Sequence, residues 1–209
     1  MLLRILVIMF LLLGSRAMAD SYDDLLKAVK LNDIRTIDGF FAKGMDVNGT
    51  DQAGNPLLLL AAREGYVDLV KRLLVRQVKV NARNPYGETA LMFAAANGDL
   101  PMVQLLLDKG AEVNQAGWTP LIYAAWRGKT EMVKFLLGKG AEIDAVSKNG
   151  TSALMMAARE GYFDTVKLLL WDAANPNIQN DSGATALNWA VKGGSTEIAA
   201  LLKQAGAKQ

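Results

Sequence analysis

The chain has 209 residues, 51% of them hydrophobic, which is enough apolar material for one ordinary domain or a repeat array. It contains no His and no Cys. Catalytic arrangements of the Ser-His-Asp or Cys-His kind, disulfides and His/Cys zinc sites are therefore excluded. The stability of the fold must come from packing alone.

The first 19 residues, MLLRILVIMFLLLGSRAMA, have the features of an export signal. Arg4 supplies a positive start, residues 5–13 are an unbroken apolar run, and Ala-Met-Ala at 17–19 is a small-x-small cleavage pattern. The alternative is a membrane anchor, but a spanning helix needs about 20 apolar residues and this run is far shorter. We predict a signal peptide, residues 1–19, that is cleaved before Asp20.

The predicted mature domain, residues 20–209, is electrically neutral. Cleavage takes two arginines, Arg4 and Arg16, from the 23 basic residues and leaves 21 against the 21 acidic ones. A neutral domain lacks the basic surface that nucleic acids and anionic membranes attract. Without Cys, a lipid anchor at the cleavage site is also excluded. We expect a periplasmic or secreted location, no nucleic-acid partner and no stable membrane insertion after cleavage.

The rest of the chain repeats a segment of about 33 residues. The copies are GNPLLLLAAREGYVDLVKRLL, GETALMFAAANGDLPMVQLLL, GWTPLIYAAWRGKTEMVKFLL, GTSALMMAAREGYFDTVKLLL and GATALNWAVKGGSTEIAALLK, which begin at Gly54, Gly87, Gly117, Gly150 and Gly183. A further copy occupies residues 23–48. The pattern predicts six units at about 20–48, 49–81, 82–114, 115–144, 145–177 and 178–209, of which the first and last are caps.

These units resemble ankyrin repeats over residues 21–209. The family's T-P-L-H-x-A-A core is matched at 89–92, 119–122, 152–155 and 185–188, and its G-A-x-V-N ending at 44–48, 110–114 and 140–144. The resemblance implies an all-α repeat solenoid of ankyrin type, with six helix-turn-helix units and short hairpin fingers. It also implies a non-enzymatic module without a cofactor that binds another protein, which we expect to be a monomeric array.

The residues fit such a fold without the resemblance. Ala pairs at 61–62, 94–95, 124–125 and 157–158 let neighbouring helices approach closely. A glycine follows the first helix of five units and Asn32 follows that of the first unit, as left-handed helix ends require. Each helix pair leaves apolar surface on both sides, so only stacking of the units buries it.

Two departures from the family pattern predict local differences in structure. The family's His is replaced in every unit, by Leu59, Met92, Ile122, Met155 and Asn188. We expect apolar packing to replace the polar tie that His provides. Gln77 and Ala173 replace the glycine of the G-A ending, so we expect looser turns there.

The fourth unit has a shortened finger. Five residues normally separate the end of one unit from the next finger glycine, but only two separate Asn114 from Gly117. We expect a notch in the row of fingers, bordered by Tyr86 on one side and Lys148-Asn149 on the other, with Trp118 at its base and Trp126 facing the same concavity. The helical stack is expected to be undisturbed.

The resemblance places a concave face on the finger tips and on the exposed ends of the first helices. The tip positions are Gln52, Ala53, Asn55, Pro85, Tyr86, Glu88, Trp118, Lys148, Asn149 and Thr151, and the helix ends are Arg63-Glu64, Ala96-Asn97, Trp126-Arg127 and Arg159-Glu160. Trp, Tyr and Arg dominate the energy of protein interfaces. The partner-binding residues predicted from this are Tyr86, Trp118, Trp126, Arg127, Arg63, Glu64, Arg159 and Glu160.

Purely structural roles are the alternatives for these residues. Trp118 or Trp126 could fill internal space, and the Arg-Glu pairs at 63–64 and 159–160 could only pair with neighbouring units. Core packing is expected for Tyr123 and Trp189. Trp171 is expected to be partly buried on the back of the array.

The first functional hypothesis is a protein-binding module of the bacterial envelope with a chaperone-like, inhibitor or immunity-type role. The alternative is a binder of a small ligand or peptide fragment in the Trp-lined notch. A scaffold without a dedicated binding site remains a further reading. Catalysis by paired carboxylates is disfavoured because the candidates, Glu64, Glu131, Glu160 and Asp164, occupy surface positions of the repeat.

Overall fold

The computed structural model describes residues 22–208, so the predicted signal peptide lies outside the described residues. Within that range the chain forms twelve helices and no strand, apart from isolated bridges between Thr50 and Pro56 and between Val146 and Ser152. A search of these helices for one long and apolar enough to cross a membrane finds none. The predicted all-α repeat array is confirmed.

The helices follow one another in pairs, and two or three residues separate the members of a pair. Their bounds are α1 22–30, α2 Ile34–Ala42, α3 Leu57–Arg63, α4 Val67–Leu74, α5 Ala90–Asn97, α6 Leu100–Asp108, α7 Pro120–Trp126, α8 Thr130–Gly138, α9 Ala153–Glu160, α10 Phe163–Trp171, α11 Ala186–Lys192 and α12 Thr196–Gln204. A longer connection, which contains the finger, leads from each pair to the next.

The first helices of successive pairs form the tightly packed column of the array. Helix α5 packs between α3 and α7, and α9 packs between α7 and α11. The Ala pairs of α3, α5, α7 and α9 have no exposed surface at all. Side chains this small allow the helix backbones to lie close together, so the role predicted for the Ala pairs is confirmed.

The turn that ends the second helix keeps its left-handed residue even where glycine is missing. Ala173 has φ +67°, close to the +84° of Gly140, and both turns form the same two backbone hydrogen bonds to the preceding helix. The expected looser turn is therefore wrong at Ala173. Gln77 is also left-handed, with φ +49°, but within the described chain its turn lacks those two bonds, so the looser turn there is confirmed.

The residue that ends each unit ties it to the next one. Its side-chain oxygen accepts a hydrogen bond from a backbone N–H of the following unit: Lys79 N–H to Asn48, Glu112 N–H to Asn81, Glu142 N–H to Asn114, Asn175 N–H to Asp144 and Lys208 N–H to Asn177. Three of the Asn amides also donate to the carbonyl of the next unit's turn glycine. We call this series the Asn ladder.

The position of the family's His is filled in two different ways. Leu59, Met92, Ile122 and Met155 are fully buried, so the expected apolar packing is confirmed in those units. Asn188 differs, because its side chain accepts the Thr185 N–H at 2.8 Å while the Thr185 hydroxyl accepts the Asn188 N–H at 3.3 Å. This capping box keeps a polar tie in the last unit, where its loss was expected.

Candidate functional site

Four fingers in the described chain are hairpins with the same internal bonding. Each is closed by two backbone hydrogen bonds, and they start at Asp51, Asn84, Ser147 and Asn180. In each, the side chain of the first residue accepts the backbone N–H four residues later. The finger shape is therefore encoded by a short polar side chain at its first position.

The fingers of neighbouring units also touch one another. The Asn84 side chain donates to the Asn55 side chain at 2.9 Å, and the Asp181 N–H donates to the Asn149 carbonyl at 3.0 Å. These contacts join the second finger to the third and the fifth finger to the sixth.

The fourth unit has no such hairpin. Gly117 keeps the left-handed φ of a finger glycine, +90°, but in the described chain the two closing hydrogen bonds are absent between residues 114 and 119. Tyr86, on the preceding finger, is 74% exposed. The predicted shortening is confirmed, and so is the undisturbed stack, since α7 still packs on α5 and α9.

A cleft of about 370 Å³ opens beside the shortened finger. It joins the third finger to the first helices of the fourth and fifth units. Its lining residues are Tyr86, Glu88, Trp118, Tyr123, Trp126, Met156 and Arg159. The volume lies in the range of about 300–1,000 Å³ that is typical of ligand pockets. The predicted notch is therefore present at Tyr86, Trp118 and Trp126, and it is lined mainly by aromatic side chains. Lys148 and Asn149, the expected opposite border, do not line it.

Tyr123 is the centre of the aromatic cluster. Its ring meets Phe93, Trp118 and Trp126 edge to face, with centroids 5.7, 5.8 and 6.0 Å away. Such pairs contribute about 0.5–1.5 kcal/mol each beyond the burial of their area. Trp118 and Trp126 are half-buried and Tyr123 is buried. The cleft wall is therefore fixed by ring–ring packing.

A single carboxylate, that of Glu88, faces this cluster. Glu88 accepts hydrogen bonds from the Tyr123 hydroxyl and from the Asn84 amide, the latter at 2.7 Å. Burial raises the pKa of Tyr123 well above its ordinary value, and the bond to Glu88 and the charge of Glu88 raise it further. Tyr123 therefore stays protonated as the donor that orients Glu88.

The arginines of the site stack on tryptophan rings. The Arg127 guanidinium lies 4.7 Å from the centre of the Trp126 ring. The Arg159 guanidinium lies 5.6 Å from the ring centre of Trp189, in the next unit, and its Nε is 3.3 Å from Glu160.

Ion pairing differs from the expectation for the two Arg-Glu sequences. Arg63 pairs with Glu64 at 3.0 Å, and Arg159 pairs with Glu160, so each pair forms between adjacent residues and not with a neighbouring unit. At these exposed positions a pair contributes about 0–1 kcal/mol.

The structure brings together half of the predicted binding residues. Tyr86, Trp118, Trp126 and Arg159 line the cleft, while Arg127 and Glu160 contact members of that set. Arg63 and Glu64 are exposed but do not line the cleft. Two predicted tip positions are wrong, because Asn55 and Thr151 are buried at the closing end of their hairpins.

Sequence reasoning missed three lining residues as binding residues. The sequence predicts Glu88 only as a tip position and Tyr123 as a core residue, and it does not single out Met156. A signal was available, because the position after the family's His holds a large side chain in every matched unit: Leu60, Phe93, Tyr123, Met156 and Trp189. Of these, Tyr123 and Met156 line the cleft.

The two remaining Trp residues take different positions. Trp189 is half-buried and packs against the core, as expected. Trp171 is 85% exposed, so its predicted partial burial is wrong. It is the last residue of α10, where the helix end leaves its side chain uncovered.

The comparisons agree with this architecture. A family model described as "Ankyrin repeats (3 copies)" matches residues 25–116, 58–147 and 121–209. A search of curated proteins finds no match. No group of side chains that could hold a metal ion occurs in the part of the chain that the structure describes. Since the three matches together run from residue 25 to residue 209, the chain belongs to the ankyrin-repeat family.

Proposed function

We propose that this chain is a non-enzymatic module that binds a partner protein through its concave face, with the aromatic cleft as the centre of the interface. Ankyrin repeats are generally protein–protein interaction modules. The observation that carries the proposal is the cleft of about 370 Å³ beside the shortened finger. It gathers Tyr, Trp and Arg, the side chains that dominate binding energy, in one place.

The rigidity of the cleft supports this role. Edge-to-face packing around Tyr123 holds Trp118 and Trp126 in place before a partner arrives. A preformed surface loses little side-chain freedom on binding, and this loss is a main cost of association. The gap at the fourth finger leaves this surface open.

The proposed setting is the bacterial envelope, with the chain periplasmic or secreted after removal of residues 1–19. The apolar run and the small-x-small pattern of that segment support export. A chaperone-like, inhibitor or immunity-type role fits a partner-binding face on an exported chain. A monomeric array is supported by Lys203, which is exposed where the preceding unit has the half-buried Leu170.

The test compares two tryptophans. Envelope fractions are cross-linked in place with tagged wild type, Trp126→Ala and Trp171→Ala, and captured proteins are identified by mass spectrometry. We expect Trp126→Ala to lose a specific partner by about tenfold or more, as for a residue central to an interface. Trp171→Ala is the matched control and should capture that partner as well as wild type does. Equal capture by both variants, with unchanged thermal melts, would show that the cleft is not the interface.

A second function, binding of a small ligand or peptide fragment, is favoured by the lining of the cleft, in which aromatic side chains surround a few polar groups. Trp118 and Trp126 make their fluorescence a direct reporter. Titration with envelope fragments should then shift the emission of wild type and of Trp171→Ala, but less that of Trp126→Ala. No shift with any fragment, together with a stably captured protein, would reject this function.

A further inference from the structure

We infer that the cleft recognises a cationic side chain, a lysine or arginine, that projects from the partner protein. The inference rests on the proposed function and specifies the chemistry of its partner. Its basis is a carboxylate without a countercharge: among the described residues no Lys or Arg lies within ion-pair distance of Glu88. An opposite charge within about 4–6 Å favours the charged form of a carboxylate.

Glu88 is held in the orientation that this role requires. The Tyr123 hydroxyl and the Asn84 amide donate to its two carboxylate oxygens, one to each. Both donors are neutral, so they orient the carboxylate without cancelling its charge. Carboxylate oxygens can accept further hydrogen bonds, which leaves capacity for an ammonium or guanidinium donor.

The aromatic walls supply the second part of the recognition. Trp118, Tyr123, Trp126 and Tyr86 line the same cleft as Glu88. A cation within about 6 Å of such a ring is attracted by the negative face of the π system. A lysine or arginine side chain also has an aliphatic stem, which can pack on these rings while its charged end reaches Glu88.

The chain's own arginines do not fill this role. Arg159 lines the cleft, but its charge is shared with Glu160 at 3.3 Å and its guanidinium lies over Trp189. Arg127 lies on Trp126, at 4.7 Å from the ring centre. These two contacts show that tryptophan rings of this face already accept guanidinium groups, and neither arginine forms an ion pair with Glu88.

The shortened finger gives a protein segment access to the cleft. In the second and third units a hydrogen bond between the Asn84 and Asn55 side chains joins the two fingers. Next to the third finger, in the fourth unit, the described chain has no hairpin to form such a bond, and Tyr86, which lines the cleft, is 74% exposed. An extended segment of a partner can therefore cross the row of fingers at the shortened fourth finger and insert one side chain into the cleft.

The test uses residues 20–209, the predicted mature chain. Its ligands are pentapeptides with blocked ends, in which a central lysine, arginine, norleucine or glutamate is flanked by two glycines on each side. Binding is followed by NMR through the four Trp indole N–H signals, with Trp171 as the internal reference. We expect the lysine and arginine peptides to shift the Trp118 and Trp126 signals and to bind about tenfold more tightly than the norleucine peptide. The Trp171 signal should not move.

The matched variants are Glu88→Gln and Glu131→Gln. Gln keeps the size of Glu88 and one of its two acceptor oxygens. With that oxygen on the Asn84 amide, the Gln NH2 group can donate to the hydroxyl oxygen of Tyr123, so both contacts and the shape of the cleft should be kept. Glu88→Gln is expected to remove the preference for the cationic peptides. Glu131→Gln makes the same change on the exposed side of α8 and should leave that preference intact.

Four results would overturn the inference. These are equal binding of the norleucine and lysine peptides, preferential binding of the glutamate peptide, unchanged selectivity of Glu88→Gln, and binding of n-butylammonium without binding of the lysine peptide. The last would assign the cleft to a free amine. None of these results determines the outcome of the capture experiment with Trp126→Ala. The proposed function and the cation specificity can therefore be rejected independently of each other.

Discussion

The Tyr123 hydroxyl donates a hydrogen bond to the Glu88 carboxylate, which lies 35 residues earlier in the chain. The bond joins the first helix of the fourth unit to the finger of the third. It thereby fixes two walls of the cleft relative to each other across the junction where a finger tip is missing.

Tyr123→Phe is expected to destabilise the fold by about 1–2 kcal/mol, since it removes a hydrogen bond to a charged acceptor and keeps the ring. Urea unfolding followed by circular dichroism measures the change. Tyr162→Phe, at a partly exposed tyrosine, is the control and should match wild type. Equal losses in the two variants would mean that the bond to Glu88 contributes nothing specific.

Asn114→Ala should cost about 1–3 kcal/mol, because it removes two hydrogen bonds of the Asn ladder, to the Gly140 carbonyl and from the Glu142 N–H. Asn114→Asp should cost less, because it keeps the acceptor, as Asp144 does in the next unit. We expect the urea midpoint to be highest for wild type, lower for Asn114→Asp and lowest for Asn114→Ala. An Asp variant less stable than the Ala variant would contradict the ladder's role as an acceptor.

Ala173→Gly and Gly140→Ala are reciprocal changes at equivalent left-handed turns. A side chain on Gly140 would meet no atom within 4 Å, so the cost of Gly140→Ala is that of the backbone conformation, about 1 kcal/mol. Ala173→Gly should stabilise the fold by less than this amount, because glycine loses more freedom on folding. Thermal melts of both variants measure the two changes, and a stabilising Gly140→Ala would contradict the argument.

Ionisation of Asp51 should make the stability that the second finger contributes depend on pH in the acid range. Burial raises the pKa of Asp51, but hydrogen bonds from the Asn55 side chain and from the N–H groups of Asn55 and Ala53 outweigh it and hold the pKa below the usual 3.8. A carboxyl whose folded pKa is lowered contributes stability above its unfolded pKa and loses it as pH falls through the folded value.

The measurement for Asp51 is urea unfolding of wild type and Asp51→Asn between neutral pH and about pH 2. Asn starts two of the other fingers, at Asn84 and Asn180, so the variant should keep the hairpin. Wild type is expected to lose its advantage over the variant only below the unfolded pKa of 3.8. A constant difference across the whole range would show that ionisation of Asp51 is not involved.

The features predicted correctly from sequence are those set by the backbone and by residue size. The repeat period, the buried Ala pairs and the missing residues before Gly117 are local patterns, so they specify the helices and the shortened finger directly. Tyr123 was assigned to the core for the same reason, because its position in the repeat is an inner one. The signal peptide and the exact unit boundaries stay predictions.

The features that sequence reasoning missed depend on the direction of long side chains. Glu88 accepts a hydrogen bond from Tyr123, 35 residues later in the chain, and the spacing of residues does not show this contact. Arg159 pairs with Glu160 and lies over the Trp189 ring, and its long side chain gives no sequence signal for the second contact. Trp171 was expected to be partly buried, but the end of α10 leaves it uncovered.

The shortened finger shows that the partner-binding surface can change in shape while the helical scaffold keeps its packing. The fourth unit is three residues shorter than its neighbours, yet Asn114 before the gap and the Thr119 cap after it keep their hydrogen bonds to Glu142 and Ile122. A deletion or insertion at this point therefore changes the shape of the binding face and does not require the helices to repack. In engineering terms, the segment between Asn114 and Gly117 is the natural place to graft a new loop into this array.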